Sequence, residues 1–278
     1  MWAFMARVLI LSSFVAASRV GGGVQAMALA RLGIEPVLVP TVLFGRHPGH
    51  GPPGGAAVVA ETFEAVLGGV QAQGVFASVD AVITGHFSSA EQVAIAAEAL
   101  SRAKAANPAA RLIVDPIMGE ADSGLYVREP VAEAIAAELV RAADILAPNA
   151  WELGRLAGRP VQDPASAVAA AKSLGRDVVV SSIREDGAIG ALYAAGGDAW
   201  LATHAPSEVA PKGTGDLLTA VFVAALIRGN APRDALEIAV SAVAEGVAMA
   251  TGLDELPLAA LPTQLSASPR VTLRRVDG

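Results

Sequence analysis

The chain of 278 residues is acidic and apolar: 53% of its residues are hydrophobic, its formal net charge at pH 7 is -7, and its sequence pI is about 5.1. An acidic chain without a basic cluster is not expected to bind nucleic acid, and a chain without cysteine has no disulfide, thiolate nucleophile or cysteine zinc site. Because no stretch reaches the roughly 18 uninterrupted apolar residues of a membrane helix and no signal-peptide pattern opens the sequence, we expect a cytoplasmic protein that does not engage a membrane.

The first half of the chain alternates short apolar runs of strand length with longer helical patterns, after an opening stretch at residues 1–6 that we interpret as a disordered or start-site extension, with Met5 as a second candidate start. Predicted strands cover residues 8–11, 35–40, 81–84 and 112–114, and predicted helices cover 21–32, 61–73, 90–106 and 131–142. Between residues 41 and 55, five glycines and three prolines predict a long surface loop. Loops of this length often serve as lids over a binding site.

The second half continues the alternation and adds a hairpin. Predicted strands cover residues 144–147 and 178–180, a hairpin joins 188–193 to 199–204, an edge strand covers 271–273, and helices cover 151–157, 165–174, 217–227 and 233–250. The pattern contains neither a linker nor a repeat. We therefore predict one doubly wound α/β domain over residues 1–278, with a mostly parallel sheet flanked by helices.

Polar groups follow the predicted strands at the point where each strand ends. These groups are Ser12-Ser13, Asp115, Asn149 with Glu152, and Ser181-Ser182. Ligands bind at the carboxyl edge of doubly wound sheets, so this edge is the predicted site. Asp115, Glu120 and Glu152 are hard oxygen ligands that suit Mg²⁺ together with substrate phosphates. The alternative is that Glu120 and Glu152 are solvated surface acids.

The stretch Gly213-Thr214-Gly215-Asp216 precedes a long apolar run and predicts a tight turn that opens into a buried helix. The first amides of a helix lie at the positive end of its dipole, and glycine lets an anion approach them, so this turn is a candidate phosphate cradle. A carboxylate at such a site suits a general base for a group that attacks the phosphate. The alternative is that Asp216 caps the helix.

A second glycine pattern, Gly21-x-Gly23-x-x-Ala26, imitates the fingerprint of dinucleotide-binding enzymes. About nine residues separate it from the preceding predicted strand, and no acidic residue lies between 41 and 55, where the ribose contact is expected. A nicotinamide-dependent oxidoreductase is therefore disfavoured. The glycine run is better explained by close packing of a helix or by approach of a substrate to the backbone.

From Arg7 to about Thr251 the chain resembles the ribokinase superfamily and, within it, the pyridoxal kinases. Four segments carry this resemblance: Gly213-Thr214-Gly215-Asp216, Asp115-Pro116-Ile117-Met118-Gly119, Ala147-Pro148-Asn149 with Glu152, and Thr41-Val42-Leu43-Phe44-Gly45-Arg46-His47. The resemblance implies a ribokinase-like fold and an ATP- and Mg²⁺-dependent kinase of vitamin B6 salvage. It favours the general-base interpretation of Asp216 over the helix cap.

The resemblance also implies roles in phosphoryl transfer. Asp216 matches the base that takes the proton from the substrate's hydroxymethyl group, and Gly213, Thr214 and Gly215 match the anion hole. Positions that match the family's Mg²⁺ support are Asp115, Glu120 and Glu152, and positions that match ATP contacts are Asn149, Ser181, Ser182, Thr214 and Gly215. The family uses monovalent cations such as K⁺ and forms homodimers, so both are expected here.

On the substrate side, the resemblance implies contacts to the pyridine ring from Ser13, Val20, Val42, Phe44, His47 and His86. The chain departs from the family at Phe14 (usually His), His86 (usually Tyr), Pro48 (usually Thr) and His50 (usually Tyr). These departures leave the preferred vitamer open. The alternatives are a kinase for hydroxymethylpyrimidine or another small alcohol, although pyrimidine kinases usually carry Cys where Asp216 stands, and a vitamer-binding protein without catalysis.

Overall fold

The computed structural model describes residues 5–208, 211–250, 254–261 and 263–277. The chain forms two compact units, one of residues 1–118 with 125–144 and the other of residues 119–124 with 145–278. The expectation of a single domain over residues 1–278 stays a prediction, and the first four residues of the expected N-terminal extension lie outside the described residues. In the described ranges, no helix has both the length and the apolar character to cross a membrane.

The first unit is a layer of strands with helices packed against it. Its strands are β1 (Arg7–Val15), β2 (Glu35–Phe44), β3 (Gly55–Ala57), β4 (Ala81–Thr84) and β5 (Arg111–Val114), in the order β5-β4-β1-β2-β3. The helices are α1 (Gly22–Arg31), α2 (Ala60–Ala72), α3 (Val75–Ser78), α4 (Ala90–Ala106), α5 (Glu129–Ala134) and α6 (Val140–Ala142), with a wide π turn at Ile135–Leu139 between the last two. The strand pairs β1–β2, β1–β4 and β4–β5 are parallel, and β3 joins β2 antiparallel. Parallel strands are covered on both faces, which explains the continuous apolar run of β1.

The second unit combines one parallel pair with antiparallel strands. Its strands are β6 (Gly119–Glu120), β7 (Gly124–Leu125, of which only Gly124 belongs to this unit), β8 (Ile145–Leu146), β9 (Asp177–Glu185), β10 (Ala188–Ala195), β11 (Asp198–His204) and β12 (Thr272–Arg275), and β8 to β12 follow one another in the sheet. The helices are α7 (Ala150–Ala157), α8 (Pro164–Leu174), α9 (Thr214–Ile227) and α10 (Pro232–Met249), with a 3-10 turn at Leu258–Ala260. The pair β8–β9 is parallel, and β9 to β12 are antiparallel.

The predicted α/β class is confirmed, and so is the hairpin of β10 and β11. Two tight turns connect the antiparallel strands, Asp186-Gly187 before β10 and Gly196-Gly197 after it. All four residues of these turns have positive φ, from 47° to 95°. Tight β-hairpins favour such turns, because their twist matches that of the strands.

Two strands run further than predicted, so the serine pairs do not follow strand ends. Ser12-Ser13 lies inside β1, which stays paired with β2 as far as Val15 and Phe44, with a register shift between Ser12 and Phe14. Ser181-Ser182 lies inside β9, opposite a register shift of β10. The expectation was wrong because bulges let a strand absorb a polar pair while the pairing continues on either side.

The predicted surface loop over residues 41–55 is wrong at both ends. Residues 42–44 end β2 and pair with 55–57 of β3, so the segment is a hairpin. The loop at its tip covers 45–54 and contains a 3-10 turn at Pro48–His50. The prolines of the segment lie in this tip, where the ladder needs no N–H donor.

The glycine run at the start of α1 allows close packing. A Cβ atom on Gly21 would lie 2.0 Å from the Oγ of Ser13, and one on Gly22 would lie 2.5 Å from Cδ1 of Leu38. A side chain at either position would require these neighbours to move. Close packing, one of the two explanations of this run, therefore fits Gly21 and Gly22, whereas Gly23 has no neighbour within 4 Å of its Cβ position among the described residues.

Helix α9 is the most deeply buried helix segment of the second unit. Every residue from Leu217 to Leu226 is buried, and the helix carries no polar stripe. A helix that is apolar all round is stable only inside a core. Its first turn, at Thr214 to Asp216, is therefore held at a fixed position by the packing behind it.

We predict that Gln25→Met stabilises the protein. Gln25 of α1 is fully buried, and among the described residues neither atom of its amide has a hydrogen-bond partner. An orphaned buried polar group costs about 1–3 kcal/mol, so an apolar side chain of similar shape should raise the free energy of unfolding in urea by about that amount. Gln92→Met is the matched control, because Gln92 is equally buried and makes four hydrogen bonds. A loss of stability in both variants would contradict the prediction.

Candidate functional site

The turn before α9 has the geometry of an anion cradle. Gly213 is the N-cap residue and adopts a left-handed conformation with φ 86°, and no side chain of the described residues caps the helix. Asp216 is the third residue of the helix, so the interpretation of Asp216 as the N-cap is wrong. The residue before the turn, Lys212, is anchored by its N–H, which donates to the carbonyl oxygen of Asp254 at 2.8 Å.

The side-chain position at Gly215 is unobstructed in the part of the chain that the structure describes. Gly215 is exposed and helical, and no heavy atom outside its chain neighbours and its own helix backbone lies within 4 Å of the place where its Cβ would stand. The amides at a helix N-terminus have no partner within the helix and carry its positive dipole end. An anion can therefore approach the amides of Thr214 and Gly215, and beside them Asp216 is part-buried, with its Oδ1 shielded from solvent.

Asn149 and Glu152 form a capping box at the start of α7. The Asn149 side chain accepts from the Glu152 N–H, and Oε2 of Glu152 accepts from the Asn149 N–H, both at 2.9 Å. The remaining polar atoms reach β6: Nδ2 of Asn149 donates to the Gly119 carbonyl oxygen at 2.8 Å, and Oε1 of Glu152 accepts from its N–H at 3.3 Å. Glu152 is 2% exposed, so the interpretation of it as a surface acid is wrong. The pair fixes the backbone that carries Glu120.

Ser181 stands next to this capping box. Its N–H donates to the carbonyl oxygen of Pro148 at 2.9 Å, and it forms an isolated parallel bridge with Asn149. Ser182 is exposed and has φ 63°, which is rare for a residue other than glycine. The second unit thus brings together three predicted nucleotide contacts, Asn149, Ser181 and Ser182.

The predicted metal ligands are not preassembled as a cluster. Within the described ranges, no group of three or more His, Asp or Glu side chains is placed to hold a metal ion. Glu120 is exposed and accepts from Ser123 Oγ at 3.2 Å, as the surface-acid alternative expects. Asp115 is 7% exposed and follows β5, and its N–H donates to the Thr84 carbonyl oxygen at 3.2 Å. Mg²⁺ commonly binds through one or two carboxylates, water and substrate phosphates, so exposed Glu120 fits such an ion without a protein cage.

The backbone beyond Asp115 is strained. Ile117 has φ 38°, an outlier for a β-branched side chain. Such conformations persist only where the surroundings impose them, and they cluster at functional sites. This observation supports a role for the Asp115-Pro116-Ile117 segment beyond chain connection.

In the first unit, hydrogen bonds tie His86 to two strands at the carboxyl edge of the sheet. The His86 N–H donates to Ser12 Oγ at 3.3 Å, and Thr41 Oγ1 donates to the His86 carbonyl oxygen at 2.6 Å. Burial lowers the pKa of His86 to about 4. The imidazole is therefore neutral near pH 7 and offers one donor and one acceptor.

The other predicted substrate contacts differ in exposure. Val42 is 1% exposed and Ser13 is 7% exposed. Val20, Phe44 and His47 are part-buried, and the His47 N–H donates to Ser18 Oγ at 3.0 Å. The hairpin of β2 and β3 carries three of the predicted contacts, and the contacts themselves stay predictions.

Sequence reasoning missed two polar residues of this region, Thr41 and Gln92. The glycine and proline pattern predicts a loop at Thr41, but this residue is fully buried in β2. Gln92 stands on the buried face of α4 among Val93, Ala96 and Leu100. The sequence does contain a signal for Gln92: a glutamine on an otherwise apolar helix face needs hydrogen-bond partners.

The chain matches a known family over most of its length. The family model described as phosphomethylpyrimidine kinase matches residues 53–257. A pyridoxine/pyridoxal/pyridoxamine kinase of Bordetella avium is 37% identical over 238 residues, which cover 83% of this chain and 80% of that protein. Pyridoxal kinase PdxY of Rubrobacter xylanophilus is 34% identical over 281 residues, which cover 97% of both chains.

A solved structure extends the match to the fold. Pyridoxal kinase from Leishmania donovani, solved in complex with ADP and pyridoxamine, superposes with a TM-score of 0.89 at 25% identity. The superposition covers 97% of this chain and 99% of that chain. The predicted ribokinase-like fold is confirmed by this likeness.

We predict that His86 makes the stability of the protein pH-dependent. The pKa of His86 lies near 4 in the folded chain and near 6.5 otherwise. Between these values the unfolded chain binds a proton that the folded chain does not, so the free energy of unfolding should fall as the pH is lowered from about 6.5 towards 4.

The test compares urea unfolding of the native chain and the His86→Gln variant at several pH values. Contributions of the other titrating groups are common to both proteins and cancel in the difference. The stability of the native chain relative to the variant should stay constant from pH 7 to 8.5 and decline below about 6.5. A difference that is constant down to pH 4 would contradict the lowered pKa of the His86 imidazole.

Proposed function

The chain belongs to the pyridoxal kinase family, and from this premise we propose that it transfers the γ-phosphoryl group of ATP to the hydroxymethyl oxygen of pyridoxal or a related B6 vitamer. Membership of the family makes the chain a phosphotransferase with an alcohol group as acceptor. The observation that carries the finer proposal is the open glycine turn before α9, with a carboxylate in the first helical turn beside it.

In the proposed reaction, Asp216 accepts the proton of the hydroxymethyl group as its oxygen attacks the γ-phosphorus. A bond forms between this oxygen and phosphorus, the bond from the γ-phosphorus to the bridging oxygen breaks, and ADP leaves. Negative charge gathers on the phosphoryl oxygens in the transition state. The amides of Gly213, Thr214 and Gly215 are proposed to stabilise that charge, because they are fixed before the reaction by the buried helix behind them.

ATP is proposed to contact Asn149, Ser181 and Ser182 in addition to Thr214 and Gly215. The hydrogen bonds around Asn149 support this role, since they hold its side chain in one orientation. ADP is bound in the Leishmania donovani relative, which supports a nucleotide as donor. Glu152 is proposed to position Asn149 and β6, because both of its oxygens accept backbone N–H groups.

Mg²⁺ is proposed to arrive with the triphosphate, where it neutralises phosphate charge. Glu120 is the exposed carboxylate that suits its water shell, and Asp115 is the second candidate. A monovalent cation such as K⁺ and a homodimer remain predictions from the family resemblance.

The vitamer is proposed to contact Ser13, Val20, Val42, Phe44, His47 and His86. Neutral His86 is the departure with the clearest chemical consequence. A neutral imidazole offers both a hydrogen-bond donor and an acceptor to a substituted pyridine, whereas a cation would repel a protonated ring.

A second candidate substrate is hydroxymethylpyrimidine. The family model that matches residues 53–257 is described as phosphomethylpyrimidine kinase, and this observation favours it. A vitamer-binding protein without catalysis is the candidate from another class. It would bind pyridoxal without Mg²⁺-dependent turnover.

The deciding experiment measures product mass after incubation with ATP, Mg²⁺ and, separately, pyridoxal, pyridoxamine, pyridoxine and hydroxymethylpyrimidine. We expect phosphorylation of a B6 vitamer. Phosphorylation of the pyrimidine alone would keep the mechanism and replace the substrate. Absence of product with all four compounds, despite pyridoxal binding in calorimetry, would favour the binding protein.

We predict that Asp216→Asn lowers kcat by about 10²- to 10⁴-fold, the usual range for removal of a general base. Nucleotide affinity should stay within about twofold, because the amide keeps the shape of the side chain and the turn is held by backbone. ADP titration by calorimetry and steady-state kinetics give the two quantities. A fall in kcat of less than about tenfold would contradict proton transfer to Asp216.

We predict that Gly215→Ala separates catalysis from folding. The residue has helical φ and free space around its Cβ position, so the melting temperature should not fall. The new methyl group would occupy the space in front of the amides, and kcat/KM should drop by about 10- to 100-fold. Gly68→Ala on α2 is the matched control, since Gly68 is equally exposed and unobstructed. Equal activity of the two variants would contradict the anion cradle.

A further inference from the structure

Gln92 of α4 is a buried hub of hydrogen bonds in the first unit. Its side chain is fully buried. Nε2 donates to the carbonyl oxygens of Thr41 at 2.9 Å and Val58 at 2.6 Å. Oε1 accepts from the N–H of Ser88 at 2.9 Å and from its hydroxyl at 3.0 Å. Both donors and both lone pairs of the amide are used.

The two carbonyl groups that Gln92 binds lie at the base of the β2–β3 hairpin. Pairing within the hairpin covers 42–44 and 55–57, so Thr41 and Val58 flank it on either side. The Val58 N–H donates to the Thr41 carbonyl oxygen at 2.9 Å, which closes the base. The side-chain amide of Gln92 therefore binds both sides of the hairpin base.

The side-chain oxygen Oε1 of Gln92 binds the loop between β4 and α4. Ser88 lies in this loop, two residues after His86. Thr41 Oγ1 also donates to the His86 carbonyl oxygen at 2.6 Å. The hairpin and the loop that carries His86 are thus joined twice, once through Gln92 and once through Thr41.

Burial makes this connection difficult to replace. Water does not reach the amide of Gln92, so a lost bond leaves a buried carbonyl group unsatisfied. The tip of the hairpin, by contrast, is exposed at Gly45, Arg46 and Pro48 to His50. An exposed tip on a base held by buried hydrogen bonds is an arrangement that suits a lid whose position is set at its base.

We propose that Gln92 is a positioning residue that holds the β2–β3 hairpin and the His86 loop in one substrate-binding arrangement. The proposal rests on the proposed function, because the hairpin and His86 are the proposed contacts of the vitamer. Gln92 touches neither reactant. Gln92 sets the fraction of molecules in which the hairpin is in its binding position. The apparent affinity for the vitamer falls in proportion to that fraction.

The test compares native chain and Gln92→Met in two independent measurements. Hydrogen–deuterium exchange of the peptide covering 42–58 should become faster by about tenfold or more, with exchange in β10 and α9 unchanged. The KM for pyridoxal should rise by about tenfold, with the KM for ATP within about twofold. Gln92→Glu is the second variant: it keeps an acceptor for Ser88 and places a carboxylate oxygen against the two carbonyl groups, so the same shifts are expected.

Two controls separate positioning from general destabilisation. Val93→Ala removes a fully buried side chain next to Gln92 on the same helix and should lower the melting temperature without raising the KM for pyridoxal. Ser88→Ala removes one of the two donors to Oε1 and leaves both bonds to the hairpin. It should leave exchange of 42–58 and both KM values within about twofold of the native chain.

The outcomes are distinct from those of the proposed function. Unchanged exchange of 42–58 in both Gln92 variants would overturn the proposal that Gln92 holds the hairpin, whatever the kinase activity. Faster exchange with an unchanged KM for pyridoxal would overturn its role in substrate binding. If the native chain phosphorylates no vitamer, the proposed function fails, and the role of Gln92 in vitamer binding falls with it, while the exchange data still decide whether Gln92 holds the hairpin.

Discussion

The position of one helix end is the constraint on which the proposed chemistry depends. Helix α9 is buried along its whole apolar length, and Gly213 can open it because a glycine tolerates φ 86°. The amides of the first turn are consequently aimed before any ligand arrives. Preorganised dipoles of this kind need no rearrangement during reaction, which is the usual source of their catalytic value. Packing that is remote from the chemistry thus determines where charge can be stabilised.

Hydrogen-bonded polar side chains, of which Glu152 and Gln92 are buried, organise the regions around the predicted contacts in both units. In the second unit, the side chains of Glu152 and Asn149 form hydrogen bonds with each other's backbone N–H groups and with Gly119. In the first unit, Gln92 joins the hairpin base to the loop after β4. In each case these hydrogen bonds fix a backbone segment next to an exposed one: Glu120 follows Gly119, and the hairpin tip follows the hairpin base. Such networks are costly to leave incomplete, and for that reason they hold a single geometry.

Among the positions where the sequence departs from the family resemblance, His86 has a clear chemical consequence. Burial keeps the pKa of this histidine near 4, so its role is that of a neutral hydrogen-bonding group and not of a cation. Its backbone is held by Ser12 and Thr41, and its loop is held by Gln92. The loop that carries His86 and the base of the β2–β3 hairpin are therefore held by connected residues. The turn at Gly213–Asp216, which we propose for phosphoryl transfer, lies on a different element at the start of α9.

The sequence by itself determined the α/β class, most element positions and the candidate phosphate turn. These features depend on local periodicity and on glycine, as β4 and α4 illustrate, since both begin and end where the apolar pattern predicts. Only the tertiary structure decided that Ser12 and Ser181 lie inside strands and that 42–44 belongs to a hairpin, because strand pairing joins residues that are distant in the chain. It also decided that Glu152 is buried and that Gln92 is a hub. Burial and hydrogen-bond partners depend on neighbours that the local pattern does not contain.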